Sequence, residues 1–144
     1  MDKTLKCLTD AHIKNSSDKK LLGGILKVPY QNPPIENIIY AKINTEILDI
    51  MPVDLSIIIM GKVGVEIEYS ADVPSKSQPV HYCHFDIHYN HLICIEKYYS
   101  LSNKFSYKDI TEILKYKKLY KINLKEIYYS ILLEFKLSNR IIGK

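Results

Sequence analysis

From Leu55 to Ser70 the chain holds a period-two alternation over more than ten residues. Ile57, Ile59, Gly61, Val63, Val65, Ile67 and Tyr69 share one parity, while Lys62, Glu66, Glu68 and Ser70 occupy the other. Successive side chains of a strand point to opposite faces, so this pattern predicts a half-buried strand or a long hairpin. Gly61 and Gly64 within it predict a bulge or a place where another group comes close to the backbone.

The rest of the chain extends the β reading. Val80 to Ile95 puts His81, Cys83, Phe85, Ile87 and Tyr89 on one face and Tyr82, His84, Asp86 and His88 on the other, a second long strand facing the first. Between them, Asp72 to Pro79 is a loop by composition. Ile35 to Asp54 predicts one or two strands broken near Met51-Pro52, and Ile25-Leu26-Lys27-Val28 a short strand that stops at Pro29. Asn32-Pro33-Pro34 predicts an extended linker. Ile127 to Leu137 fits both a six-member alternating face and a helical stripe, and its β-branched and aromatic content favours strand. Asp109 is placed to cap a short helix carrying Ile113 and Leu114, with a strand as the alternative. Residues 1–24 read as a polar lead-in ending at Gly23-Gly24, and no internal repeat stands out. The sum is a mainly β, single-domain sandwich or curled antiparallel sheet with one short helix at most.

Composition narrows the class. At 144 residues the chain supports one domain with its own core, and 47% hydrophobic with 25% charged residues excludes collagen-like, disordered and coiled-coil chains. The longest apolar run, Ile57 to Met60, is far short of the ~20 residues that span a bilayer. No secretory leader pattern follows Met1. Cys7, Cys83 and Cys94 are odd in number and lack CxxC spacing, which fits a reducing compartment, so a cytoplasmic location is expected. Arg140 is the lone arginine among 20 basic side chains. Lysine, isoleucine, tyrosine and asparagine share A/T-rich codons, so richness in lysine carries little functional weight here.

Three clusters hold chemistry-bearing residues. Four of the five histidines fall between His81 and His91, and His84, Asp86 and His88 on one strand face offer two imidazoles and a carboxylate to zinc or iron. A three-ligand site usually draws on a second segment, and the only other histidine is His12, so a polar solvent-facing strand explains the run as well. Residues 97–125 interleave lysines with Tyr98, Tyr99, Tyr107, Tyr116 and Tyr120, a composition suited to single-stranded nucleic acid or to a plain solvated face. Cys83 shares the face of Phe85 and Ile87, which points to a buried inert thiol. No Walker loop, dinucleotide fingerprint, HExxH or GxSxG motif occurs, no catalytic constellation forms, and no cofactor is expected.

The run Ile57 to Gly61, then Glu66-Ile67-Glu68-Tyr69-Ser70-Ala71-Asp72, then Val80-His81-Tyr82-Cys83-His84-Phe85, resembles the SPOCS domain of sporulation proteins. Gly61, Tyr69, Ala71, Asp72, Val80, His81, His84 and Phe85 match its pattern. Val28-Pro29 and Pro34-Ile35-Glu36 upstream, and Ile122 to Leu137 downstream, extend the likeness over Ile25 to Leu137. His88 and Tyr89 stand where the family usually has Pro-Phe, and Met60 where an acidic residue is common. The resemblance implies a β-rich, non-enzymatic adaptor in spore-envelope assembly, whose matched motif residues are structural and whose partner is a protein such as a coat morphogenetic protein. The division expected is 1–24 lead-in, 25–137 SPOCS-like domain and 138–144 tail. The surfaces expected to bind are strand Leu55–Ser70 and the Tyr98–Tyr120 face, with homo-oligomerisation open and nucleic acid or metal binding as the rival functions.

Overall fold

The structure, a computed structural model, describes residues 17–54, 56–72, 80–94 and 110–137. Six strands form: β1 (Ser17–Lys27), β2 (Ile35–Val53), β3 (Ser56–Ala71), β4 (Val80–Cys94), β5 (Ile110–Asn123) and β6 (Glu126–Leu137). They make two three-stranded antiparallel sheets, sheet I in the order β1-β6-β5 and sheet II in the order β2-β3-β4.

The alternation predicted for 55–70 is what β3 shows. Ile57, Ile59, Val63, Val65, Ile67, Tyr69 and Ala71 are fully buried. From β6, Ile127, Ile131, Leu133 and Phe135 meet them with equally complete burial. Each such side chain contributes roughly 1.5–3 kcal/mol by leaving water, so these two rows hold the sheets together. β3 and β6 are the middle strands of their sheets, and their burial follows the same order over 12 positions starting at Ser56 and Glu126. The repeat lies in the burial rather than in the residues, which explains why the sequence does not display it.

Several expectations change. β1 begins at Ser17 rather than Ile25, so the strand runs across the expected boundary at residue 24 and pairs with β6 without a register shift. Among the described residues no helix forms. Ile113 and Leu114, expected on a short helix, lie within β5, and Asp109 falls outside the described residues. A bulge at Lys115, between Leu114 and Tyr116, moves β5's inward residues from even to odd positions and so hides its alternation. β4 lies beside β3 in one sheet rather than across from it. β2 continues through Pro52 to Val53, because an edge strand tolerates a missing amide donor. Asp54 then turns the chain with a positive φ of 52°, which aspartate accepts more readily than most residues.

Candidate interaction surface

The chain crosses from sheet I to sheet II through residues 28–34, and four of the matched motif residues, Tyr69, Ala71, Asp72 and His81, gather at that crossover. Tyr69, fully buried, donates from Oη to the Pro33 carbonyl at 2.8 Å and lies against the His81 ring, its cross-strand neighbour, at 5.7 Å. Asp72 donates its amide to the Pro34 carbonyl at 2.9 Å. Ala71 is opposite Ile35, and both are fully buried. On the other side the β5–β6 turn completes the clamp. Val28 donates to the Lys125 carbonyl and Ile35 to the Leu124 carbonyl, each at 2.8 Å, and Lys125 Nζ reaches the Asn32 carbonyl at 2.5 Å. Proline-rich chain lacks amide donors, so its carbonyls take their partners from these neighbours. Val80 is half exposed at the start of β4, and Phe85 packs at the margin of the core.

Gly61 serves a different neighbour. A Cβ built there would stand 2.3 Å from both Cζ and Oη of Tyr89. The missing side chain therefore lets the Tyr89 ring cross β3 inside the sandwich. Its Oη donates to Glu112 of β5, whose carboxylate also accepts from Thr45 of β2. Burial is the main cause that raises both pKa values, that of Tyr89 and that of Glu112. Burial likewise raises the phenols of Tyr69 and Tyr129 and pushes the Cys83 thiol up to about 11.

These acids stay neutral longer in the folded chain than in the unfolded one. Their stabilisation is fully present below the unfolded values, about 8.5 for the thiol and about 10 for the phenols, and is lost as pH rises past them. Thermal unfolding followed against pH is expected to give a midpoint that falls above about pH 9. Phenolate absorbance should show the buried tyrosines titrating together with unfolding, and Tyr89→Phe should make the fall shallower. A midpoint independent of pH from 8 to 11 would contradict this.

The histidine run divides between two faces. His84 and Asp86 project outward and are hydrogen-bonded to each other, Nε2 to Oδ1 at 2.8 Å, which holds the Asp86 carboxyl below its ordinary value. They flank a shallow depression of about 340 Å³ over Gly64, with Asn44, Glu46 and Lys62 around it. His91 faces inward, stacked on Phe135 at 5.2 Å, with Nε2 3.3 Å from Asp18 Oδ2 of β1. That approach is close enough for an ion pair but is not aligned as a hydrogen bond. Among the described residues no group of three or more His, Cys, Asp or Glu side chains is placed to hold a metal ion. Cys83 is buried and free, Cys94 is free and partly buried, and Cys7 lies outside the described residues.

Of the 97–125 stretch, residues 97–109 lie outside the described residues. On β5 and its turn, most lysines are engaged within the chain. Lys117 Nζ donates to the Ala41 carbonyl at 3.2 Å, Lys121 Nζ to the Glu36 carbonyl at 3.0 Å, and Lys115 pairs with Glu134 at 3.8 Å. Tyr116 and Tyr120 stay half exposed on the outer face of sheet I, beside Lys118.

Strand β3, expected to bind through its edge, is paired on both sides and has no free ladder to offer. The free edges belong to β1, β2, β4 and β5. β2 carries three register shifts, Pro52 and lysine ammonium groups over its carbonyls, and β5 carries two shifts. Such features block pairing with another chain. β1 carries Lys19, Lys20 and Lys27. β4 runs 15 residues with an unbroken register and contains no lysine, arginine, proline or glycine, and near its start Asn32 Nδ2 donates to the Tyr82 carbonyl at 3.0 Å. Val80, Tyr82 and Leu92 are exposed along it. Sequence pattern locates β4 but cannot show that it is an edge, since alternation looks alike in middle and outer strands.

The family model described as "SipL, SPOCS domain" matches residues 34–106, just over half of the 144-residue chain. The match takes in β2, β3 and β4, all of sheet II, and leaves the three strands of sheet I outside it. No curated protein and no solved structure matches the chain. On its matched half, which carries the Gly61, Tyr69-to-Asp72 and Val80-to-Phe85 motifs, the chain belongs to the SPOCS domain family.

Proposed function

We propose that this chain is a non-enzymatic interaction module that takes up an extended strand of a partner protein along β4, in the assembly of the spore envelope. The SPOCS domain is a sporulation-associated family, which supports the setting. The single observation that supports the mode of binding is the β4 edge, which among the described residues keeps its register, carries no proline or lysine and has its Tyr82 carbonyl capped by Asn32, beside three edges that carry bulges, proline or lysines. A strand added there gains main-chain hydrogen bonds along its length, and alternate side chains meet Val80, Tyr82 and Leu92. The motif residues act at one remove: they fix the crossover and the start of β4, and so keep the edge straight. No membrane-crossing helix occurs among the described residues.

The test is a tagged pull-down with mass spectrometry from sporulating and vegetative lysates, with the full chain and a Tyr82→Lys/Leu92→Lys variant as baits. A partner recovered only from sporulating cells, and lost with the variant, is expected. Equal recovery by both baits would remove β4 from the reading. Recovery of the bait alone from sporulating cells would remove the adaptor role.

A further inference from the structure

The middle of the outer face of sheet I, between Leu21 and Ile25, carries a single charge, Lys118, where sheet II carries charged rows. Opposite it, sheet II shows water the rows Lys42–Glu66–His84 and Glu46–Lys62–His88. On sheet I the strand registers set Leu21, Leu132 and Tyr116 side by side, then Gly23, Ser130 and Lys118, then Ile25, Tyr128 and Tyr120. Leu21 is 66% exposed, Ile25 52%, Tyr116 49% and Tyr120 47%. Two apolar ridges thus flank a trough over Gly23 and Ser130 that is closed at the β5 side by Lys118. Charged rows close both ends, Lys19 beside Glu134 at one and Lys27 beside Glu126 at the other. Apolar ridges bordered by charged residues match the apolar-core, polar-rim anatomy of a protein interface, with Lys118 as the charge inside it.

Gly23 supplies an independent reason to look for something close above the trough. Its backbone does not lie in the left-handed region, and a Cβ there would meet only ordinary contacts, Tyr129 O at 3.6 Å and Tyr128 Oη at 3.8 Å. Among the described residues, neither conformation nor packing asks for glycine. A glycine inside a strand weakens it and often marks close approach by another backbone or group.

We infer that this face is the interface of a two-fold dimer of the chain. A two-fold axis along β6 sets β1 of one copy over β5 of the other. Each tyrosine of β5 then stands over an aliphatic residue of β1, Tyr116 over Leu21 and Tyr120 over Ile25. Lys118, which lies 5.6 Å from the Tyr120 ring centre, stands over Gly23 in the one place with no side chain to oppose it. The face is about 15 Å wide and about 25 Å long, so two copies cover about 800 Å² in flat projection. Side-chain relief brings the accessible area to about 1,000 Å², the floor for a biological interface and the size of a weak, reversible dimer. A dimer would also present two β4 edges, one on each copy, which multiplies the apparent affinity for a partner that carries two strands.

Light scattering on the full chain at about 100 μM, well above a micromolar Kd, is expected to give twice the chain mass. Leu132→Lys should give the monomer mass with unchanged circular dichroism, whereas Lys62→Glu, on the opposite face, should leave the dimer intact. Gly23→Arg sets a second cation beneath the partner's lysine and should weaken the dimer at least tenfold. Adding Lys118→Glu to it should restore association. A wild-type monomer at all concentrations would overturn the inference, as it would if another protein or residues 1–16 of the chain itself covered the face. A dimer that survives both Leu132→Lys and Gly23→Arg would overturn it as well. Neither result bears on strand capture by β4, which the pull-down reads separately.

Discussion

Gly61→Ala is expected to destabilise the fold by about 3 kcal/mol, the upper part of the usual range for adding one carbon to a full core. The new Cβ would stand 2.3 Å from Tyr89 Cζ and Oη and 2.6 Å from Cε2, well inside contact distance. A clash with the end of a side chain costs little when that end can swing away. Here it cannot: Tyr89 is only 6% exposed, its hydroxyl is bound to Glu112, and the Phe135 ring lies 5.9 Å off. Relief requires β3 and β4 to separate or Glu112 to lose its donor while buried, and each is costly. Urea unfolding of the wild type, Gly61→Ala, Tyr89→Ala and the double variant separates this clash from a general intolerance of alanine. Tyr89→Ala alone removes the ring and strands Glu112, at a cost of about 3–5 kcal/mol. Those losses are present with or without Gly61, so they cancel in the cycle. The double variant should be more stable than the sum of the singles predicts, by about 2 kcal/mol. Additive costs would mean that the glycine and the ring do not share space. In the family pattern a phenylalanine usually stands where Tyr89 is. A ring over this glycine would serve either residue, and the hydroxyl adds the link to β5.

How much of this was legible in the sequence depends on where each strand sits. β3 was legible because a middle strand with one buried face must alternate without interruption, and Ile57 through Tyr69 do so. β4, an outer strand, was legible because it too turns one face to the core and keeps its register throughout. β1 was not, because Gly23 and Gly24 leave two adjacent positions without side chains and Leu21, at 66% exposure, breaks the rule that apolar residues face inward. β5 misled because its inward residues are Ile110, Glu112 and Leu114 before the bulge and Lys117, Leu119 and Lys121 after it. Before the bulge, the outward-facing Ile113 beside the inward Ile110 and Leu114 imitates helical spacing. The candidate surface was less legible still. Whether a strand is an edge, and whether a lysine is free or bound to a carbonyl, depends on pairings such as β1 with β6, which link opposite ends of the chain. The motif residues were visible as a pattern, but that Tyr69 and Asp72 reach the Pro33 and Pro34 carbonyls is a fact of the fold.

Phe135→Ala is expected to rank with Tyr89→Ala among the most damaging single truncations, at about 4 kcal/mol. The reason is position as much as size. Phe135 is fully buried on β6, and it meets two rings that come from the other sheet, Tyr89 at 5.9 Å and His91 at 5.2 Å with the planes nearly parallel. Removing it opens a cavity between the sheets, where the backbones cannot close in without tearing one ladder from the other. It also frees the His91 ring, whose approach to Asp18 ties β4 to β1. The same strand carries its own control. Leu132 points to the outer face, so Leu132→Ala leaves no internal void, and its cost measured at a concentration where the chain is monomeric should stay below about 1 kcal/mol. Chemical unfolding of both variants reads the contrast directly. A single domain of this kind has about 5–15 kcal/mol in total, so Phe135→Ala should leave it marginal at room temperature and visibly unfolded at modest urea. Comparable costs at the two positions would mean that the space between the sheets is not closely packed around Phe135. The same result would weaken the argument from Tyr89 and Gly61, because Phe135 is one of the groups that holds the Tyr89 ring over the glycine.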